Sequence, residues 1–231
     1  MLVHCSTTFK LGGRFLALGR LSPSSLTADY LEQRLSASGL DIPKQLKDHP
    51  RDAPVPDHLF FECLGYDEAL SSDKSAYEAS EVIHDLNEPT PPPEWIGQFD
   101  VVYNNGTIEH VFNVPNALNS CHELLKPNGV VIHAGPANNT VDHGFYQLSP
   151  TLFFDYYRAN EYEILNCALI KSSGKDGHSK ISIQPYNTYD NPTDHLYGKM
   201  GDGVWTLLFV ARKTEKSTSD KVPTQFRYAH L

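Results

Sequence analysis

The chain has few cysteines, and none of them pair by spacing. Cys5, Cys63, Cys121 and Cys167 are the only four in 231 residues, with no CxxC pair. This excludes a disulfide framework and a structural zinc site, and it suits free thiols in a reducing compartment. Long apolar runs are also missing. Nothing approaches the ~18 apolar residues that a membrane helix requires. The first residues, MLVHCSTTFK, have neither a basic stretch nor an adequate apolar stretch, so no signal peptide is expected. Positive charge is scarce as well: 19 basic residues against 28 acidic ones give a net charge of −9. That balance argues against a broad surface for nucleic acid or anionic membrane. Neither an internal repeat nor a low-complexity tract is present. The expected setting is cytoplasmic, with no nucleic-acid or membrane partner, and the oligomeric state is not legible.

What is present is enough for one sizeable core, since 40% of residues are apolar and the length suits one domain. GGRFLALGR (12–20) reads as a buried strand ending at Gly19, followed by a helix in SPSSLTADYLEQRLSASG capped by Ser22 or Ser24. Residues 41–57, with four prolines and many charges, read as a loop or poorly ordered insertion. HLFFECLGYDEALSSD gives a helical turn and a strand finishing near Asp73; SEVIHDL gives another strand, closing at Asp85. FDVVYNNGTIEHV (99–111) begins as a buried strand and ends as a polar loop. NVPNALNSCHELLKPNG is helical, VVIHAGP (130–136) is a strand, and SPTLFFDYYRANEYEI is a helix capped at Ser149 with Pro150 in its first position. EILNCALIK and VWTLLFVARK (204–213) are the remaining strands. Residues 171–203 are polar and long enough to favour a lid, and 214–231 form a polar tail expected to be partly mobile. The whole reads as one domain over 1–213 plus the tail.

Strands alternating with helices predict an α/β fold with a doubly wound, mostly parallel sheet. One spacing strains that reading. Between Asp73 and Glu81 there are too few residues for a full crossover helix, so the crossover has shrunk to one turn or a strand is misassigned. Polar groups collect at the predicted strand ends: Gly19, Asp73, Asp85, Asn104 with Asn105, and His133. Ligands of such sheets bind outside the carboxyl ends of the strands. An ionised carboxylate ending the second strand is suited to accept both hydroxyls of a ribose, and an acid after the third suits an exocyclic amine such as adenine's. These ends suggest a nucleoside-type cofactor.

The segments RFLALG, SSD (71–73), IHDL (83–86), FDVVYNNGTIEHV and LLKPNGVVIHAGP (124–136) resemble those of the class I S-adenosylmethionine-dependent methyltransferases. EHV followed by a helix and LKPNGVVIH is the most specific element, and DHGFYQLSPTLFFDYY (142–157) resembles a subgroup that acts on small molecules. The resemblance implies a Rossmann-like sheet with an antiparallel last strand and S-adenosylmethionine as cofactor. It places Gly19 at the methionine part, Asp73 at the ribose, Asp85 and Leu86 at the adenine, and Asn104 at the cofactor's amino-acid end. The family's glycine-rich first loop is not kept: the chain reads LGRLSPSS, with Gly19 alone remaining and Arg20 offering a substitute partner for the cofactor's carboxylate.

For chemistry, His110 is the candidate general base toward an acceptor hydroxyl, with Glu109 beside it and His143 as a second base or substrate contact. No metal is expected in the leading reading, although Glu109, His110, His133, Asp142 and His143 form an alternative ligand set similar to the Glu-His pair of some magnesium-dependent O-methyltransferases. Methyl transfer to a small-molecule or glycan-type acceptor, at oxygen, is the leading function. The alternatives are a binding or scaffold protein that has lost its cofactor, and metal-assisted hydrolysis on a His110–His133–His143 cluster.

Overall fold

In the computed structural model, which describes residues 1–21, 26–173, 180–187 and 196–228, β1 (Gly13–Leu18) is the hub of the first half of the sheet. Its alternation is strict: Phe15 and Ala17 pack on one face and Leu16 and Leu18 on the other, all buried. Burial on both faces is what a central parallel strand requires. β1 pairs in parallel with β2 (Tyr66–Asp73) and β4 (Phe99–Asn105). β4 in turn pairs in parallel with β5 (Leu125–Asn138), and β2 with β3 (Val82–Ile83). The sheet has eight strands in the order β3-β2-β1-β4-β5-β8-β6-β7. β8 (Val204–Arg212) runs antiparallel between β5 and β6 (Glu163–Ser173), and β7 (Lys180–Pro185) is antiparallel to β6.

Two helical layers cover the sheet. On the Phe15 face lie α1 (Leu2–Thr8), α2 (Ala28–Ala37), α3 (Lys44–Lys47) and α4 (Asp57–Cys63); on the Leu16 face lie α5 (Val114–Leu124) and α6 (Pro150–Ala159). The cap of α6 is Ser149, accepting from the Thr151 amide, with Pro150 at the first turn as the sequence predicts. The cap of α2 is Thr27; Ser22 and Ser24, the predicted caps, lie outside the described residues, as do Pro23, His178, Tyr189, His195 and His230.

Of the two alternatives for the short crossover the first holds: it has shrunk to one 3-10 turn, Ala76–Glu78, and both strands exist, although β3 is only two residues long. Glu81 replaces the missing ladder, its carboxylate accepting from the Ser71 amide at 2.9 Å and the Ser71 hydroxyl at 3.1 Å. Other expectations are corrected. Residues 41–57 are not a loose insertion: α3 lies within them, and Leu46 and Val55 are buried. The stretch 171–203 contains β7, which extends the sheet by pairing antiparallel with β6. The N-terminal helix α1, which the sequence reading did not include, buries Leu2 and Cys5.

The tail is held as well. Asn160, fully buried, accepts from the Thr218 hydroxyl and the Lys221 amide, and donates to the Lys221 carbonyl at 3.0 Å. Farther along, Asp155 accepts from the Phe226 amide at 3.0 Å. A polar segment with no apolar period is thus fixed by backbone hydrogen bonds to a helix end, a pattern that hydrophobic periodicity does not report. Asn160→Ala removes donor and acceptor together and leaves the Lys221 backbone unpaired, so the expected loss is about 2–3 kcal/mol. Urea unfolding measures it, and faster tryptic cleavage in the tail accompanies it.

β5 carries a second buried polar group. His133 is fully buried against Phe153 and Phe209, with Nε2 2.7 Å from the Tyr157 hydroxyl. Burial pushes its pKa from 6.5 down to about 3. The folded state therefore keeps it neutral where the unfolded chain protonates it. Its contribution is intact above the unfolded value and is lost as pH falls from about 6.5 toward 3, by up to ~1.4 kcal/mol per pH unit. Denaturant midpoints measured between pH 7 and 4.5 are expected to fall less steeply in His133→Gln than in the parent protein.

Candidate active site

The parallel register sets the site. Leu18 stands opposite Ser72 on one side and Asn104 on the other, and Asn104 stands opposite His133. Three polar side chains thus fall in one row near the carboxyl edge. Among the described residues, the buried side-chain atoms without a hydrogen-bond partner are Ser72 Oγ, Asn104 Nδ2, His133 Nδ1 and both carboxylate oxygens of Glu109. All belong to this row or to the turn that follows it. Unpaired buried polar atoms cost about 1–3 kcal/mol each, so their concentration at one edge marks the place where the fold is not arranged for stability alone.

Asn104 organises the turn. Its Oδ1 accepts from the Thr107 amide at 3.2 Å and the Ile108 amide at 3.0 Å, starting the 3-10 turn Ile108–His110. Thr107 Oγ1 then donates back to the Leu18 carbonyl at 2.6 Å. Gly19 adopts φ +79°, and a Cβ there would lie 2.7 Å from Thr107 Oγ1, so no other residue fits. The Gly19 amide donates to the Ser72 carbonyl at 2.7 Å. Asp73, half-buried at the end of β2, accepts from the Ser75 amide at 3.0 Å.

The other predicted cofactor contacts are placed differently. Arg20 turns to Asp57 at 3.2 Å and Glu81 at 3.7 Å. With Ala17, Phe61 and Ala69 it lines a cleft of about 360 Å³ on the Phe15 face. Asp85 is taken by Lys74 at 2.8 Å and by the Asn87 amide and side chain, and these bonds, Lys74 first, bring its pKa down to about 2. Leu86 is buried in the core beside the helix face of the sheet. The residues present fit S-adenosylmethionine at Asp73, a carboxylate suited to ribose hydroxyls at the end of β2, and at Asn104, whose buried amide N–H lacks an acceptor; at Gly19 the space a Cβ would take is filled by Thr107 and the amide is given to Ser72. At Arg20 and Asp85 the charge is already engaged within the chain.

On the far side of the same turn, Glu109 is fully buried. Its carboxylate lies beside Gly106 and Gly135, at ordinary contact distance from where their Cβ atoms would stand (3.4 Å to Oε1 and 3.6 Å to Oε2). Burial raises its pKa, against the opposing pull of the backbone, His110 and His143. The loop after β5 folds back over it, the Phe145 amide donating to the Glu109 carbonyl at 2.9 Å. Gly144 permits that approach, since its Cβ would come within 2.9 Å of the Glu109 carbonyl and 3.2 Å of His110 Nδ1. The loop delivers His143, whose Nε2 lies 3.6 Å from Glu109 Oε1 and whose ring centre is 5.1 Å from that of His110. Both imidazoles are exposed.

Glu109, His110 and His143 are therefore brought together. His133 is not with them; it is sealed in the core by Tyr157 and Phe153, so the His110–His133–His143 cluster weighed from sequence does not form, and hydrolysis at such a cluster has no basis. Asp142, exposed at φ +65°, is not among the three groups whose ligand atoms converge. Thr107, Ser72 and Gly144 are the residues that sequence reasoning missed. Thr107 had one available signal, its place three residues after an asparagine near the end of a strand.

A sequence profile of the methyltransferase-domain family matches residues 32–166, more than half the chain. The match begins beyond β1 and its altered loop. No curated protein sequence matches the chain at a significant level. Solved structures with a similar fold include an S-adenosylmethionine-dependent methyltransferase of Thermotoga maritima (12% identity, TM-score 0.44, 92% of this chain and 88% of that one). Another is the 1,6-didemethyltoxoflavin-N1-methyltransferase of Burkholderia thailandensis, solved with S-adenosylhomocysteine (12% identity, TM-score 0.48, 93% of this chain and 76% of that one). A third is the 16S rRNA (adenine(1408)-N(1))-methyltransferase of Catenulisporales acidiphilia (11% identity, TM-score 0.45, 87% of this chain and 88% of that one). Such distant likeness says nothing of the acceptor. Among the described residues no helix is long and apolar enough to cross a membrane. By its profile match and its doubly wound sheet with antiparallel closing strands, the chain belongs to the methyltransferase-domain family of class I fold, whose cofactor is S-adenosylmethionine.

Proposed function

We propose that the protein transfers a methyl group from S-adenosylmethionine to a hydroxyl oxygen of a small-molecule or glycan-type acceptor. The observation that carries the acceptor side is the buried, donor-free carboxylate of Glu109 beside the exposed rings of His110 and His143. Gly19, Asp73 and Asn104 would hold the cofactor, with Asp73 accepting from ribose hydroxyls and Asn104 Nδ2 donating to the amino-acid end. When bound there, the cofactor supplies an electrophilic methyl group on a sulfonium.

The chain's own residues have two tasks. The first is alignment, which accounts for most of the rate of such a displacement. The second is removal of the acceptor's proton, worth roughly 10²–10⁴-fold when a hydroxyl must attack. An amine with a free electron pair needs no such help, and a cluster of one carboxylate and two imidazoles therefore favours oxygen. Two residues beyond each histidine stands an exposed phenylalanine, and these two, Phe112 and Phe145, lie edge to face with ring centres 5.8 Å apart. This pair suits the flat or CH-rich face of an aromatic ring or a sugar.

The second reading, a binding or scaffold protein without cofactor, is favoured by one observation: Arg20 is ion-paired with Asp57 and Glu81 where the family usually has open glycine backbone. Calorimetric titration separates the two. S-adenosylhomocysteine is expected to bind, and Asp73→Ala to weaken it by about tenfold or more, the ~1.4 kcal/mol or more of lost charge-assisted hydrogen bonds. Absence of binding by both S-adenosylmethionine and S-adenosylhomocysteine at millimolar concentration would establish the scaffold reading.

A further inference from the structure

We infer that Glu109, His110 and His143 form a binding site for a first-row divalent transition-metal cation, open on the side that faces the acceptor. The inference deepens the methyl-transfer reading at the same cluster, and it replaces the expectation of a metal-free site.

Geometry comes first. One ligand atom from each of the three residues lies within 4.8 Å of the other two. Ligands around such a cation stand at about 2.0–2.2 Å from it, which places them roughly 3–3.5 Å from each other. The difference is closed by rotating the two imidazoles, both of which are exposed. The carboxylate needs no movement to be available, because no donor occupies either oxygen.

That carboxylate is the second, independent observation. A fully buried acid normally has its oxygens satisfied by amides, hydroxyls or a cation. Glu109 has only the His143 ring at 3.6 Å from Oε1, too long for a hydrogen bond. Gly144 lets the His143 loop close over the Glu109 backbone, since a Cβ there would come within 2.9 Å of the Glu109 carbonyl. A cation reached from solvent past the two exposed imidazoles supplies the partner that the buried carboxylate lacks.

The donor set selects the kind of ion. Magnesium and calcium favour shells made wholly of oxygen, whereas two imidazole nitrogens with one carboxylate suit manganese, iron or zinc. Three protein ligands on one side leave coordination positions free, as catalytic rather than structural metal sites do. The free positions lie on the side of the exposed imidazoles. An acceptor hydroxyl bound there loses its proton more readily, because the cation stabilises the alkoxide or phenoxide. The proton leaves to solvent, and the imidazoles act as ligands rather than as proton carriers.

The test uses the full chain, stripped of metal with a chelator, and measures Mn²⁺ binding by electron paramagnetic resonance and Zn²⁺ binding by calorimetry. The expected result is one Mn²⁺ per chain displaced competitively by Zn²⁺, with binding weakened at least about tenfold in Glu109→Gln and in His143→Ala. His143 is exposed, so His143→Ala remains informative if Glu109→Gln fails to fold; thermal melts establish which variants are folded. Failure of both ions to bind the parent protein at millimolar concentration overturns the inference, and so does binding of equal strength to folded His143→Ala. Metal is titrated without cofactor. Binding of Mn²⁺ at the cluster in a protein that binds no S-adenosylhomocysteine would therefore uphold the cation site while refuting the methyl-transfer reading.

Discussion

The side-chain oxygen of Asn104 accepts two backbone amides, those of Thr107 and Ile108, and both halves of the site depend on that bond pair. It stops β4 and starts a 3-10 turn within three residues. Once the turn is set, Thr107 points back to the Leu18 carbonyl and lies under Gly19. Two residues later Glu109 enters the space between Gly106 and Gly135. The Thr107–Gly19 contact and the Glu109 cluster are thus two outputs of one side chain, and their relative position is fixed by covalent geometry over a handful of residues. A rigid short turn of this kind is how an active site holds reacting groups in register without a large supporting structure.

The energetic pattern fits a site retained for ligands. The core on both sides of the sheet is apolar and close-packed, and most of its buried polar groups are paired: His84 Nε2 with the Ser120 hydroxyl at 2.8 Å, the Ser6 hydroxyl with that of Tyr66 at 2.8 Å. The exceptions among the described residues gather at the carboxyl edge. A fold under selection for stability alone would replace Glu109 by an apolar residue or give it a donor, since an unpaired buried acid is among the more costly features a small domain can carry.

Much of this was legible in the sequence, for identifiable reasons. Apolar runs such as RFLAL and DVVY read as central strands because parallel strands buried on two faces leave no polar positions, and the Ser149–Pro150 start of α6 is a local signal that packing does not override. EHV followed by a helix marked Glu109 and His110 before any geometry was known. The illegible parts depended on contacts distant in sequence. No local pattern reports that Arg20 will meet Asp57 and Glu81, or that Lys74 will take Asp85, because exposed charges choose partners by tertiary proximity. α3 and the tail went unrecognised because few apolar residues hold each of them: Leu46 anchors α3, and hydrogen bonds to Asn160 hold the tail. β7 escaped because it is an edge strand whose described side chains, 182–185, are all exposed and impose no period.

Asn104 also resolves a question its own amide raises. An asparagine side chain has an acceptor and a donor that are nearly indistinguishable by shape, and only the surrounding hydrogen bonds assign them. Here the assignment is forced: two backbone N–H groups converge on one end, so that end is the oxygen, and a flipped amide would set donor against donor. The nitrogen is then directed away from the turn, buried and without an acceptor. No rotation of the group cures this, because every alternative breaks the turn that holds Thr107 and Glu109. Among the described residues none supplies the missing acceptor. In the methyl-transfer reading proposed above, that acceptor is an oxygen at the amino-acid end of the cofactor, so the side chain that starts the turn is also the one that would receive the ligand.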